Sequence, residues 1–223
     1  MNTDTIASRK IFTTIAWVIL IQFIATSTIV AQTIPLYKNS RAPINERVKD
    51  LLGRMTPTEK FWQLFMIPGD IKPGEASKYK DGLFGFQVSA ASAGSEGAQQ
   101  MLQYNASETA VSLAKKVNTI QAFFMDSTRL GIPMLPFDEA LHGLVRQGST
   151  IFPQSIGLAA TFNTSTMEAV AGAIAKESKI RGIRQILSPV INIATDVRWG
   201  RTEETYGEDP FLSSKMGVAY MKT

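Results

Sequence analysis

Short apolar runs alternate with longer stretches of helical periodicity, and that alternation narrows the chain to an α/β fold with a parallel sheet. The runs cover residues 82–88, 132–137 and 185–190. Between the first two, Val111, Leu113, Ala114, Val117, Ile120 and Phe124 recur as an apolar stripe. Between the last two, Met167, Val170, Ala171, Ile174 and Ser178 mark one helix face. Helices of that length can return the chain so that successive strands lie parallel. The order is strand–helix–strand–helix–strand–helix, about three β/α units. Ligands in such folds bind at the carboxyl edge of the strands. The residues that follow each run therefore carry the functional interest.

Punctuation fixes the other elements. Ile44, Val48, Leu51, Leu52 and Met55 predict a helix over 44–55. Thr56, Pro57 and Glu59 then supply an N-cap, a first-turn proline and a capping-box acid for a helix carrying Phe61, Leu64 and Phe65. Pro68, Gly69, Pro73 and Gly74 read as loop, as does the small-residue segment 90–97. The 111–124 helix ends near Leu130 and Gly131. Ser165 and Glu168 have capping-box spacing for the helix carrying Met167, which Gly182 is placed to stop. A last helix starts around Pro210 and runs to the end of the sequence.

The 223 residues contain no cysteine, which excludes disulfides, thiolate metal sites and thiol nucleophiles. The single histidine, His142, excludes a multi-histidine metal centre. No glycine-rich phosphate loop follows any of the runs, and the charge of +4 forms no basic tract. Neither a cofactor, a metal nor nucleic acid is expected. Arg9 and Lys10 precede an apolar stretch over 11–25, and cleavage after Ala31 is plausible. Residues 1–31 read as a signal peptide or, if uncleaved, a membrane anchor, the one case in which the membrane is a partner. An exported chain without disulfides suits a bacterial periplasmic or secreted protein. The domain proper is 32–223.

Charge concentrates at two places. Asp138, Glu139 and His142 follow the second run. The stretch 188–210 follows the third and holds Arg198, Trp199, Arg201, Glu203, Glu204, Tyr206, Glu208 and Asp209. A salt-bridged surface turn is the plain reading of that second cluster. A site for a polyhydroxylated or anionic ligand is the other.

Several motifs together carry a resemblance. They are 47–52 with Met55–Thr56–Pro57–Thr58–Glu59–Lys60, then Arg129–Leu130–Gly131–Ile132–Pro133 and Glu139–Ala140–Leu141–His142–Gly143. Phe152–Pro153–Gln154 and the 188–210 stretch follow. In this order and spacing the chain resembles the N-terminal portion of a family 3 glycoside hydrolase, of the β-glucosidase and β-xylosidase type. The resemblance implies the first part of a (β/α)8 barrel, incomplete in this chain. It implies retaining hydrolysis of terminal non-reducing β-D-glucosyl or xylosyl residues, with an oligosaccharide or β-glycoside as substrate.

Carried over by position, Glu139 and Arg201 are the implied ligands of the terminal sugar's hydroxyls. A carboxylate accepts hydroxyl hydrogens and a guanidinium donates in a fixed fork. Asp138 departs from the commonest form of its motif and is expected to point away or cap the turn. Arg198 and Trp199 are expected to be structural, by stacking or an internal ion pair. Glu204, with Glu203, Glu208 and Asp209, is expected to scaffold the loop around Arg201. His142 is expected to be a packed, hydrogen-bonded structural residue. The family's nucleophile, acid/base and lysine–histidine pair fall beyond Thr223. The expected partner is therefore a C-terminal part of the same polypeptide, and this chain alone is expected to be inactive. Two readings stand beside these: Glu139 as a helix-start acid, and the whole as a non-catalytic envelope carbohydrate-binding protein. An aldolase or phosphate-binding barrel would need a Schiff-base lysine or phosphate loop, and neither is recognisable. Asn105 and Asn163 sit in N-x-S patterns with no expectation of glycosylation.

Overall fold

The computed structural model describes residues 34–88 and 108–223. The expected signal or anchor segment, the loop expected over 90–97 and Asn105 lie outside the described residues. The chain divides after Arg54 into two compact units.

The first unit holds a 3-10 turn, Leu36–Lys38, and helix α1, Ile44–Arg54, where the apolar spacing predicts it. Asp50 accepts the Tyr37 backbone N–H at 3.0 Å, and Arg47 Nε donates to the Tyr37 carbonyl at 3.0 Å. These two bonds tie the turn to the helix.

In the second unit, α2 spans Pro57–Trp62. Its capping box forms as expected: Thr56 Oγ1 accepts the Glu59 N–H at 3.2 Å, and Glu59 Oε2 accepts the Thr56 N–H at 2.8 Å. The helix stops at Trp62, short of Leu64 and Phe65. Phe61 and Leu64 are exposed, and Trp62 packs edge-on against Tyr79 instead. The chain then enters β1, Met66–Pro68, a strand where the sequence reading has helix end and loop. Three residues are too few to show alternation, and Pro68 is tolerated because β1 lies at the edge of the sheet.

The remaining elements are a 3-10 turn at Ala76–Tyr79, β2 (Gly85–Gln87), α3 (Ala110–Ser127) and β3 (Leu135–Asp138). They continue with α4 (Ser155–Ala159), α5 (Thr164–Ile180), β4 (Gln185–Ile186), a 3-10 turn at Thr202–Glu204 and α6 (Pro210–Met221). Among the described residues the four strands form one parallel sheet in sequential order. The fold is α/β as expected, with one strand more than the apolar runs suggest, and the barrel is not closed in this chain.

The helices lie where the stripes place them, with local corrections. In α3 the buried stripe is Leu113, Val117, Ile120 and Phe124, while Val111 is exposed. Thr109 caps this helix, its Oγ1 accepting the Ser112 N–H at 3.1 Å. Every residue of the expected α5 face is buried. Its cap is Asn163, which accepts the Thr166 N–H at 3.1 Å, rather than Ser165. Asparagine is among the strongest N-caps, so the helix starts earlier than the Ser165–Glu168 pair suggests. Gly182 ends the segment at φ 88°, as expected. The third apolar run stays in the ladder only to Ile186, because β3 ends at Asp138 and Pro189 has no N–H to donate. Asp209 caps α6, which ends at Met221.

Phe86 of β2 and Val88 just past its end pack with Phe124 of α3 and Ile174 of α5 in one core. Burying each such side chain contributes about 1.5–3 kcal/mol relative to exposure. The core fixes the strands and hence what stands at their carboxyl ends.

Candidate functional site

Gln87 and Asp138 are the last residues of β2 and β3, and both are buried. Asp138 is fully enclosed, which an ionised carboxylate tolerates only with partners. It has three. Arg146 Nη2 donates to Oδ2 at 3.2 Å and Oδ1 at 3.3 Å, Gln87 Nε2 to Oδ1 at 3.4 Å, and the Glu139 backbone N–H to Oδ1 at 2.9 Å. Burial pushes its pKa up, opposed chiefly by the Arg146 charge. Asp138 caps the turn through the Glu139 N–H, but it does not point away; it is the most enclosed acid of the edge.

Glu139 comes next and is half-buried. No helix begins here, so the helix-start reading of this acid does not hold. Among the described residues its carboxylate has no hydrogen-bond partner. Burial raises its pKa, as does the Asp138 charge; Arg201 acts in the opposite sense and Glu204 adds a smaller rise. Glu139 therefore lies within electrostatic reach of the loop after β4, some sixty residues on in sequence.

The backbone around Glu139 is held from several sides. Tyr220 of α6 donates its hydroxyl to the Ala140 carbonyl at 2.9 Å. His142 Nδ1 donates to the Phe152 carbonyl at 2.8 Å, and the Phe152 N–H returns to the His142 carbonyl at 2.8 Å. His142 is hydrogen-bonded, as expected, but half-buried rather than packed away. Gly143, at φ 129°, lies against the Thr150 carbonyl with no room for a Cβ.

In the loop after β4, Arg201 meets Glu204 in a fork, Nε to Oε1 at 2.9 Å and Nη2 to Oε2 at 2.5 Å. The guanidinium is thereby oriented, and among the described residues its Nη1 makes no hydrogen bond. Thr205 and Tyr206 are buried and moor the loop. Only Glu204 of the four acids bonds to Arg201: Glu208 is exposed, Glu203 acts through its charge, and Asp209 has turned to cap α6. Arg198 pairs with Asp196 at 2.5–3.1 Å, but on the surface, its side chain 87% exposed, not internally as expected. Asp196 lies two residues away on the same exposed loop, so the pair closes locally. The Trp199 backbone closes the turn, its N–H reaching Asp196 and its carbonyl accepting from Thr202 Oγ1 at 2.9 Å; its ring is partly exposed.

The edge thus offers a half-buried acceptor carboxylate, Glu139, without a hydrogen-bond partner among the described residues, and an oriented guanidinium, Arg201. Among the described residues no group of His, Asp and Glu side chains is arranged to hold a metal ion. Arg146 and Gln87 do not stand out in the sequence. The only signal toward them is Asp138 itself, an acid ending an apolar strand and so in need of a cation.

Comparison with known proteins bears on this arrangement. The model of the glycosyl hydrolase family 3 N-terminal domain matches residues 57–223. A beta-xylosidase of Formosa agariphila is 40% identical over 100 residues, 42% of this chain and 14% of that protein. A periplasmic beta-glucosidase of Salmonella typhimurium is 31% identical over 178 residues, 78% of this chain and 20% of that protein. The solved structure of a β-glucosidase from Erythrobacter marinus superposes with a TM-score of 0.69 at 29% identity, covering 86% of this chain and 24% of that one. The chain spans less than a third of the length of these relatives.

Proposed function

The chain belongs to glycosyl hydrolase family 3, and from that premise we propose that it supplies the sugar-binding part of a retaining β-glucosidase or β-xylosidase. Glu139 accepts hydrogens from hydroxyls of the terminal non-reducing sugar, and Arg201, held by Glu204, donates to others. The observation that carries this reading is the half-buried Glu139 carboxylate, without a hydrogen-bond partner among the described residues, in the field of an oriented guanidinium. Burial of that kind favours a site that a ligand completes.

Retaining hydrolysis needs two carboxyl groups roughly 5–5.5 Å apart, one nucleophile and one acid/base. At this edge Asp138 is committed to Arg146 and Glu204 to Arg201. We place both catalytic carboxyls outside these 223 residues, and the activity belongs to the polypeptide that carries them. The cationic and apolar N-terminal stretch supports export, and a relative named as periplasmic fits a periplasmic or secreted protein.

The test is an assay of the purified chain against aryl β-glucosides and β-xylosides. The expected result is no hydrolysis. Hydrolysis that disappears in Glu139→Gln would make Glu139 a reacting group and overturn this division of roles.

A further inference from the structure

We infer that Arg146 is a positioning residue for Glu139, acting through the buried carboxylate of Asp138 and itself seated by α5. Only the ligand-binding arm of its test rests on reading Glu139 as a sugar ligand.

The chain of contacts is continuous. Asp138 Oδ1 accepts the Glu139 N–H at 2.9 Å, so wherever Asp138 sits, the Glu139 backbone follows. Asp138 is in turn held by Arg146 Nη2, the two side chains being 0% and 4% exposed. Arg146 opens a strap over 146–150 that α5 and its C-capping residue, Arg181, grip at two places one helical turn apart. Glu177 accepts the Thr150 N–H and hydroxyl, each at 2.9 Å. Arg181, 2% exposed, donates to the Gln147 carbonyl at 3.0 Å and to the Glu177 carbonyl at 2.9 Å. The last turns of α5 thus set the strap, the strap sets Arg146, and Arg146 sets the carboxylate that holds Glu139.

Stability alone does not call for this pair. Desolvating two charges offsets most of their attraction, and well-packed apolar residues of similar volume are often as stable. A buried pair does confer fixed geometry, because the planar guanidinium constrains the carboxylate it faces. Here that carboxylate bonds the backbone of Glu139, the half-buried acid whose side chain has no hydrogen-bond partner among the described residues.

The experiment compares the chain with Arg146→Met, Arg146→Lys and the double variant Asp138→Asn/Arg146→Met, which keeps an Oδ1 acceptor for the Glu139 N–H. The double variant carries no lone buried charge, so it keeps the test decisive if Arg146→Met fails to fold. The first readout is amide hydrogen exchange and needs no ligand. Protection at Glu139 is expected to fall about tenfold or more in Arg146→Met and in the double variant, while the α5 core amides around Val170 and Ile174 keep theirs. The second is the Kd for methyl β-D-glucopyranoside, expected to rise about tenfold in both and to be largely recovered in Arg146→Lys. A purely structural role would lower the fraction of competent protein and leave Kd unchanged. Unchanged Glu139 protection in a folded variant, or an unchanged Kd, overturns the inference. If the unsubstituted chain binds no glucoside, the sugar-binding reading fails and the exchange arm alone decides the positioning.

Discussion

Glu59 and Arg129 stand 70 residues apart in sequence and meet in a two-point contact, Arg129 Nε donating to Oε1 at 2.9 Å and Nη2 to Oε2 at 2.5 Å. The contact joins two of the motifs singled out in the sequence, the capped start of α2 and the turn that leads into β3. Glu59 serves both, since its Oε2 also closes the capping box with Thr56. The sequence shows the cap by its spacing. It gives no sign of the long-range partner.

This contact has a pH signature. The Arg129 hydrogen bonds hold the Glu59 pKa below its ordinary 4.5, with Thr56 helping and burial opposing. A lowered carboxyl pKa contributes stability that is present above the unfolded value and lost as pH falls through the folded one. Arg129 is half-exposed, so solvent screens the pair and its contribution is about 1 kcal/mol or less. Glu59→Gln is expected to lower the thermal midpoint at pH 7, with the gap from the unsubstituted chain closing as pH falls below 4.5. Parallel melting curves at every pH would show that the charge contributes nothing.

Gly143 ends the Glu139-to-Gly143 motif at φ 129° against the Thr150 carbonyl. Alanine there meets both a disfavoured backbone conformation and a backbone atom. Gly143→Ala is expected to destabilise the chain by about 2–3 kcal/mol in denaturant unfolding. A change within the error of the measurement would mean that the strap 146–150 is free to shift.

Phe162 is the described non-glycine residue with positive φ, 51°, and its ring is 77% exposed. A bulky side chain gains nothing from that position, whereas asparagine tolerates it. Phe162→Asn is expected to stabilise by about 1 kcal/mol, seen as a rise in Tm of roughly 2–4 °C. A lower Tm would show that the ring makes a contact that outweighs the strain.

Glu204→Gln removes the carboxylate that orients Arg201 on a largely exposed guanidinium. Its expected effect on stability is under about 1 kcal/mol, with a loss of glucoside affinity of about tenfold. Loss of fold without a change in affinity would reverse the role assigned to Glu204.

What the sequence reveals depends on length and on locality. The α5 face from Met167 to Ser178 repeats over several turns, and every member is buried where expected. β1 has only Met66, Ile67 and Pro68, too short for a period and ended by a residue that reads as a breaker. The Arg201–Glu204 pair follows from its spacing of three, and Arg198–Asp196 closes on itself at the surface for the same local reason. Arg146 is different. Its partner Asp138 lies on the preceding strand, and its setting depends on Glu177 and Arg181 from a helix further on. No window of sequence holds that relationship; packing creates it.

The most direct test of the central claim is NMR titration of the labelled chain with methyl β-D-glucopyranoside, following the Glu139 side-chain carboxyl carbon and the Arg201 Nε–H together. The two signals are expected to shift with one shared Kd, and the Arg201 Nε–H is expected to stop responding in Glu139→Gln. Saturating glucoside that moves neither signal, or moves them with different midpoints, would contradict a shared sugar site at this edge.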